Sequence, residues 1–301
     1  MVQIEVTESF VLSDRKISSF LWKYELLNKL SSSSEVLELV RKIFSKDYLE
    51  LVQAKSNFEL GLIQKHNINI LTYFSKDYPE LLKEIYNPPL VLFYKGNIKV
   101  LKEKLIAVVG TRKPSKISLD ACEELPKYFS SENASLVSGI ALGIDRKAMF
   151  SCLEKEIPVV GVMGTGFDKE YPRENKDLYQ ALKKKENTII ITENRFHSPI
   201  GKWSFPERNR IITGLCKALI IMESPLKSGA MSSATHAISQ NRDIYVFDSE
   251  NSLYNEGGRS LLRDGANEFL FPNSFLQKSS KQKLPESILE MSEYLVELGR
   301  K

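Results

Sequence analysis

The sequence predicts an α/β protein, a doubly wound, mostly parallel sheet preceded by a small helical domain. Three observations carry this. From residue 77 onward short β-branched runs alternate with helical stretches. Those runs are apolar throughout instead of alternating, as expected of strands covered on both faces. Ahead of residue 77 the apolar residues keep helical spacing. The pattern divides the chain into a helical domain (1–76), an α/β domain (77–272) and a polar tail (273–301).

In the first segment Phe20, Leu21, Tyr24, Leu27 and Leu30 share one helical face, and Ser31 to Ser34 make a polar break. EVLELVRKIF (35–44) and YLELVQAK (48–55) repeat the pattern, with the serines placed to cap the second helix. The α/β segment then offers the strands LVLFYKG, LIAVVG, SLVSG, PVVGVMG, TIIITE, ALIIME and DIYVFD. Between them lie the helical stretches ISLDACEELPKYFSS, LGIDRKAMFSCLEK, KDLYQALKKK, FPERNRIITGL and SGAMSSATHAISQ. The tail holds one amphipathic stretch, SILEMSEYLVELG (287–299), too short for a domain of its own.

Composition bounds the function classes. With 301 residues, 42% hydrophobic, the chain can bury a sizeable core without staples or metals. It lacks a run of about 18 apolar residues, so no spanning helix is expected. The opening MVQIEVTESFVLSDRK carries acids where a signal peptide would be apolar. Cys122, Cys152 and Cys216 show no metal-ligand spacing and fit a reducing cytoplasm, as small buried hydrophobes. Basic residues exceed acidic ones by one in 1–76, by two in 77–272 and by one in the tail. Nucleic-acid binding would therefore have to rest on a local patch.

Ligands of an open parallel sheet bind outside the carboxyl ends of the strands. Four glycine-bearing loops follow strands at that edge. One holds Gly110, Thr111, Arg112, Lys113 and Ser115. Another holds Ser138, Gly139 and Gly143, before Asp145. The third holds Gly164, Gly166 and Phe167, followed by Asp168 and Arg173. The fourth holds Ser228 and Gly229 ahead of Ser232. Glycine lets a backbone approach closely, and the N–H groups of a helix start favour an anion. Arg146, Arg208 and Arg210 add cations near the same edge. Four such loops together point to phosphate binding.

The phosphate ligand is narrowed by exclusion. Gly-x-Gly-x-x-Gly and the P-loop pattern are absent, which argues against a nicotinamide cofactor and an NTPase. The nucleophile elbow Gly-x-Ser-x-Gly is absent as well. Asp145, Asp168, Glu193 and Glu223 show no paired-acid spacing, and His66, His197 and His236 are scattered. No catalytic set, metal site or cofactor emerges. The segment FPERNRII (205–212) stands apart, preceded by Trp203. Its two arginines are either a donor array for a ligand or a structural knot paired with Glu193, Glu207 or Glu223.

The loop around Gly110 to Arg112, SGIALGID (138–145), GTGFDKEYPRENK (164–176), FPERNRII, SGAMSS (228–233) and GGRSLLRDGA (257–266) resemble, in order, those of the DprA/Smf DNA-processing family. The resemblance covers about residues 75–272. It implies a Rossmann-like domain, behind a helical domain of sterile-alpha-motif or helix–hairpin–helix type, and binding of single-stranded DNA without catalysis. It also implies a homodimer that helps load RecA recombinase in natural transformation or homologous recombination. At the family's motif positions Arg112 and Arg173 would be the basic DNA contacts. Phe167 is either a base-stacking residue or a loop anchor. Four residues at three places depart from the family pattern. Met149 stands where a histidine is common, Asn241 where a glycine is, and Asp248 and Ser249 where Pro-Gly is usual. The rival is a nucleotide-binding phosphoribohydrolase of the LOG type, but the loop at Ser228 lacks the glutamate which that family uses.

Overall fold

A computed structural model of the chain describes residues 10–249 and 254–271. The amphipathic tail stretch lies outside them. Three helices open the described chain: α1 (Arg15–Lys23), α2 (Ser33–Ile43) and α3 (Lys46–Lys65). Each start is capped by the side chain before it, Asp14, Ser32 and Ser45, accepting backbone N–H groups of the first turn. At α2 the Glu35 carboxylate accepts from the Ser31 N–H at 2.9 Å and hydroxyl at 2.8 Å. The serine break is therefore a built helix start. The third helix runs 20 residues, well past the eight of its apolar sequence pattern.

The sheet has nine strands: β1 (Asn69–Thr72), β2 (Val91–Gly96), β3 (Leu105–Val109), β4 (Ser135–Ser138), β5 (Val159–Val162), β6 (Thr188–Thr192), β7 (Ala218–Ile221), β8 (Asp243–Val246) and β9 (Asn267–Glu268). Their order is β1-β2-β6-β5-β4-β3-β7-β8-β9. The seven strands from β6 to β9 in that order are parallel, while β1 and β2 form an antiparallel edge. The fold expectation holds, with two short strands added at the rims. β1 lies in the segment whose pattern reads as helical, and four residues are too few to display a strand period.

Intervening helices are α4 (Glu80–Lys83), α5 (Lys116–Cys122), α6 (Leu125–Ser131), α7 (Ile144–Glu154), α8 (Lys176–Lys184), α9 (Ser204–Gly214), α10 (Gly229–Ser239) and α11 (Glu256–Arg263). The stretch ISLDACEELPKYFSS is two helices, not one. Pro126 cannot donate to the helix before it and suits the first turn of a new one.

Strand alternation sorts the core. Leu105, Ala107 and Val109 of β3 face one apolar layer, while Ile106 and Val108 face the other. A third apolar cluster joins Ile17, Leu21, Val36 and Val52 of the helices to Val91 and Phe93 of β2 and to Phe196. The helical region thus shares a core with the antiparallel edge. All three cysteines are free and buried, and burial pushes the thiols of Cys122 and Cys216 up to about 12.

Candidate nucleic-acid interface

Chain progression runs outward from β3 through β4 and β5 to β6, then returns to β7, beside β3. That reversal is a topological switch point, where diverging loops leave a crevice. A cleft of about 950 Å³ opens there, lined by the loops after β3 and β7 and by the start of α9. A smaller one of about 270 Å³ adjoins it, between the loop after β4 and Tyr171 to Glu174. Arg112, Ala141, Phe205 and Arg208 line both.

The wall between the clefts is built from the backbone outward. Ile140, after β4, has φ +56, a costly conformation for a β-branched residue. Two buried polar side chains hold it there. Asn175 Nδ2 donates to the carbonyls of Ile140 at 2.9 Å and Ala141 at 3.0 Å. Asp145 accepts the N–H groups of Gly139 at 3.0 Å and Ala141 at 3.4 Å. Gly143, with φ +76, starts α7 so close to the first loop that a Cβ would lie 2.4 Å from the Thr111 carbonyl oxygen. At Gly139 a Cβ would lie 2.7 Å from the Arg208 guanidinium. Glycine is required there for Arg208 to pass.

Arg208 is a structural arginine. It is 5% exposed and donates to the carbonyls of Gly139, at 2.5 Å, and Val162. Burial lowers its pKa from the ordinary value, and the nearby Asp145 opposes this. Burial raises the Asp145 pKa, against Arg208 and the two backbone donors. Arg210 pairs with Glu193 and lines a third cavity, beside the helical region, instead of the two clefts. Arg146 is engaged as well, gripping Asp177 through two hydrogen bonds of 2.7 and 2.6 Å.

The remaining cations stand free. Arg112, Lys113, Arg173, Lys202 and Lys227 are exposed, line one or both clefts, and form no ion pair among the described residues. In the larger cleft Arg112, Lys113, Lys202, Arg208 and Lys227 face a single carboxylate, the buried Asp145. That makes a local positive basin that the net charge conceals. Phe205 lines both clefts, with Tyr171 at 5.2 Å between centroids and the Arg112 guanidinium 5.9 Å from the ring.

The sequence-marked residues divide accordingly. Gly110, Thr111, Arg112, Lys113, Gly139, Arg173, Arg208, Ser228 and Gly229 come together around the clefts. At Gly229, the first residue of α10, an added Cβ would meet nothing within 4 Å, so its backbone lies open to a ligand. The hydroxyls are committed to the fold. Ser115 donates to the buried Glu223 at 2.7 Å and Ser138 to the Val108 carbonyl at 2.8 Å. Ser228 caps α10, accepting from the Met231 N–H at 3.3 Å. Gly164 gives room to the Phe205 ring and Gly166 to the Arg195 backbone. Phe167 packs partly against two apolar clusters and lines neither cleft. Lys202, Phe205 and Lys227 are cleft residues outside the sequence-marked set. Lys202 directly precedes the conspicuous Trp203, and Phe205 is the first residue of the FPERNRII stretch itself, the signal that could have found them.

The departures have local reasons. Met149 is fully buried in an apolar layer. Asn241 keeps φ +54, which asparagine tolerates better than most residues. Asp248 accepts from Asn255 Nδ2 at 2.9 Å and from Arg259 Nε at 3.0 Å, tying the end of β8 to α11.

Comparison with known proteins settles the lineage. The family model for DNA recombination-mediator protein A matches residues 69–280. The chain belongs to this family. Protein Smf of Synechocystis is 34% identical over 172 residues, which are 57% of this chain and 43% of that protein. DNA processing protein DprA of Bacillus subtilis is 33% identical over 166 residues, 55% of each chain. The match thus spans about half the length of these curated relatives. Among solved structures, DprA of Streptococcus pneumoniae superposes with a TM-score of 0.67 at 28% identity, covering 88% of this chain and 90% of that one. DNA processing protein A of Helicobacter pylori, described for its single-stranded DNA binding mode, gives 0.62 at 28% identity over 70% of this chain and 94% of that one. The DprA/Smf resemblance is therefore family membership, and the phosphoribohydrolase alternative is not favoured. Among the described residues no helix is long and apolar enough to cross a membrane.

Proposed function

We propose that this recombination-mediator family member binds single-stranded DNA in the switch-point cleft and acts by binding, not by catalysis. One observation carries this reading: five exposed cations that form no ion pair among the described residues line the two adjoining clefts that share Phe205 at the carboxyl edge of the sheet. Arg112, Lys113, Arg173, Lys202 and Lys227 take the phosphates as point charges. Gly229 admits the strand's backbone at the start of α10, and Phe205 stacks a base. An unpaired strand suits such a site because its bases are free to leave one another for the ring. On the family resemblance, the bound strand is handed to RecA recombinase and the working form is a homodimer.

The test is fluorescence anisotropy of a labelled single strand against duplex of the same sequence, over a salt series. Preferential binding of the single strand is expected, with a log–log salt slope of about −0.7 for each phosphate neutralised. Equal affinity for duplex, or a flat salt response, contradicts the proposal. RecA filament assembly on the strand, with and without the protein, tests the downstream role.

A further inference from the structure

The cleft wall bearing Lys202 and Phe205 is held from outside the cleft. Residues 193–203 join β6 to α9, and the helical region grips this segment near both ends. Near the first end Arg195 donates from Nε to Glu59 at 3.0 Å, with only 12% and 11% of the two side chains exposed. Burial raises the Glu59 pKa and the Arg195 guanidinium opposes this. Arg195 also reaches the Ser56 hydroxyl at 3.4 Å and lies 5.2 Å from the Phe10 ring centre. At the other end Arg15, the first residue of α1, lies 4.0 Å over the Trp203 ring and pairs with Glu207 of α9 at 3.3 Å. It also donates to Asn194 at 3.3 Å. Glu59, Ser56, Phe10 and Arg15 line neither cleft.

We infer that the helical region is a positioning element for the nucleic-acid site, with Arg15 as its key residue acting through Trp203 and Glu207. This inference rests on the single-strand reading above. An untethered loop of this length would have to be ordered by the ligand, at the cost of the conformational entropy of each residue fixed. Tethered in advance, the segment presents Lys202, and fixes the start of α9 that bears Phe205, before any strand arrives, which is how preorganisation raises affinity. Arg15 itself is poorly suited to hold a phosphate, since Glu207 balances its charge and Trp203 covers one face.

The experiment uses the full chain with Trp22→Phe, which leaves Trp203 as the single tryptophan of the two present. Arg15→Ala is expected to shift Trp203 emission to longer wavelength and to speed hydrogen exchange in 195–204. Single-strand affinity should fall about fivefold, the weight of one exposed cation–π contact, with the salt slope unchanged. Arg15→Lys should recover part of the affinity. Arg15→Met, which keeps the apolar stem on Trp203 and guards against general loosening of α1, should give the same slope-neutral loss. A slope smaller by about 0.7 would make Arg15 a phosphate contact and overturn the inference, as would unchanged affinity in both neutral variants. If the parent chain binds no single strand, the DNA reading fails by itself. Emission and exchange still report whether Arg15 holds the loop.

Discussion

Arg208 of α9 and the basic residues of the surrounding loops lie around the same clefts and do opposite work, and Arg210, two residues on and beside the third cavity, goes with Arg208. Arg208 and Arg210 are buried, and each is committed to protein acceptors, Arg208 to two carbonyls and Arg210 to Glu193. Arg112 and Arg173 are exposed and make no ion pair among the described residues. Residue type does not separate the two groups. Burial does, because a desolvated guanidinium is stabilised by whatever acceptors the fold supplies, whereas a solvated one keeps its donors for a ligand. A basic residue at a binding site is thus informative only once its acceptors are known.

The largest effect should come from breaking the buried class. Arg208→Ala strands the Gly139 and Val162 carbonyls and removes the cation facing Asp145. A loss on the order of 3–5 kcal/mol of stability is expected, read as a lower midpoint in denaturant with unchanged slope. A change under 1 kcal/mol would mean that Arg208 belongs with the ligand-facing class after all.

The ring between the two classes comes next. Phe205→Leu keeps most of the packing on Gly164 but loses the flat face. Single-strand binding should weaken by about 1–3 kcal/mol at unaltered salt slope, which anisotropy would show.

Breaking the exposed class should leave the fold intact. Arg112→Ala with Arg173→Ala is expected to weaken single-strand binding at least tenfold, about 1.4 kcal/mol. The salt slope should shrink by about 0.7 for each lost phosphate contact, with an unmoved melting temperature. A lower melting temperature would put these two with Arg208.

The smallest effect concerns Arg146, partly exposed yet paired. Its hydrogen bonds hold Asp177 at about 2, below the ordinary aspartate value of about 3.9. A carboxylate with a depressed folded-state pKa contributes stability above its unfolded pKa and loses it as pH falls through the folded one. The advantage of the parent chain over Asp177→Asn should therefore be constant at neutral pH and vanish between about pH 4 and 2, measured by denaturant melts across that range. A gap that persists at pH 2 would show that the pair acts through packing instead of charge.

Much of this was legible in the chain. LIAVV is apolar at every position, and TIIIT at the three between its threonines, because both faces are covered, and that pattern survives without knowledge of neighbours. β1 and β9 left little trace, since two to four residues cannot display a period. Several of the loop glycines are places of close approach within the protein. Sequence could not say what approaches, which is the Arg208 guanidinium at Gly139 and the Thr111 carbonyl at Gly143.

By itself the sequence determined the α/β class, the glycine-bearing loops at one sheet edge and the family, because periodicity and motif order are properties of the chain alone. Only the tertiary structure decided which cations are free and that Phe205, not Phe167, faces both clefts. It also decided that the helical region grips the cleft wall through Arg15 and Glu59. Burial and pairing depend on residues distant in sequence, such as Glu59 for Arg195 or Asp177 for Arg146. No local pattern encodes which of two similar side chains will find its partner.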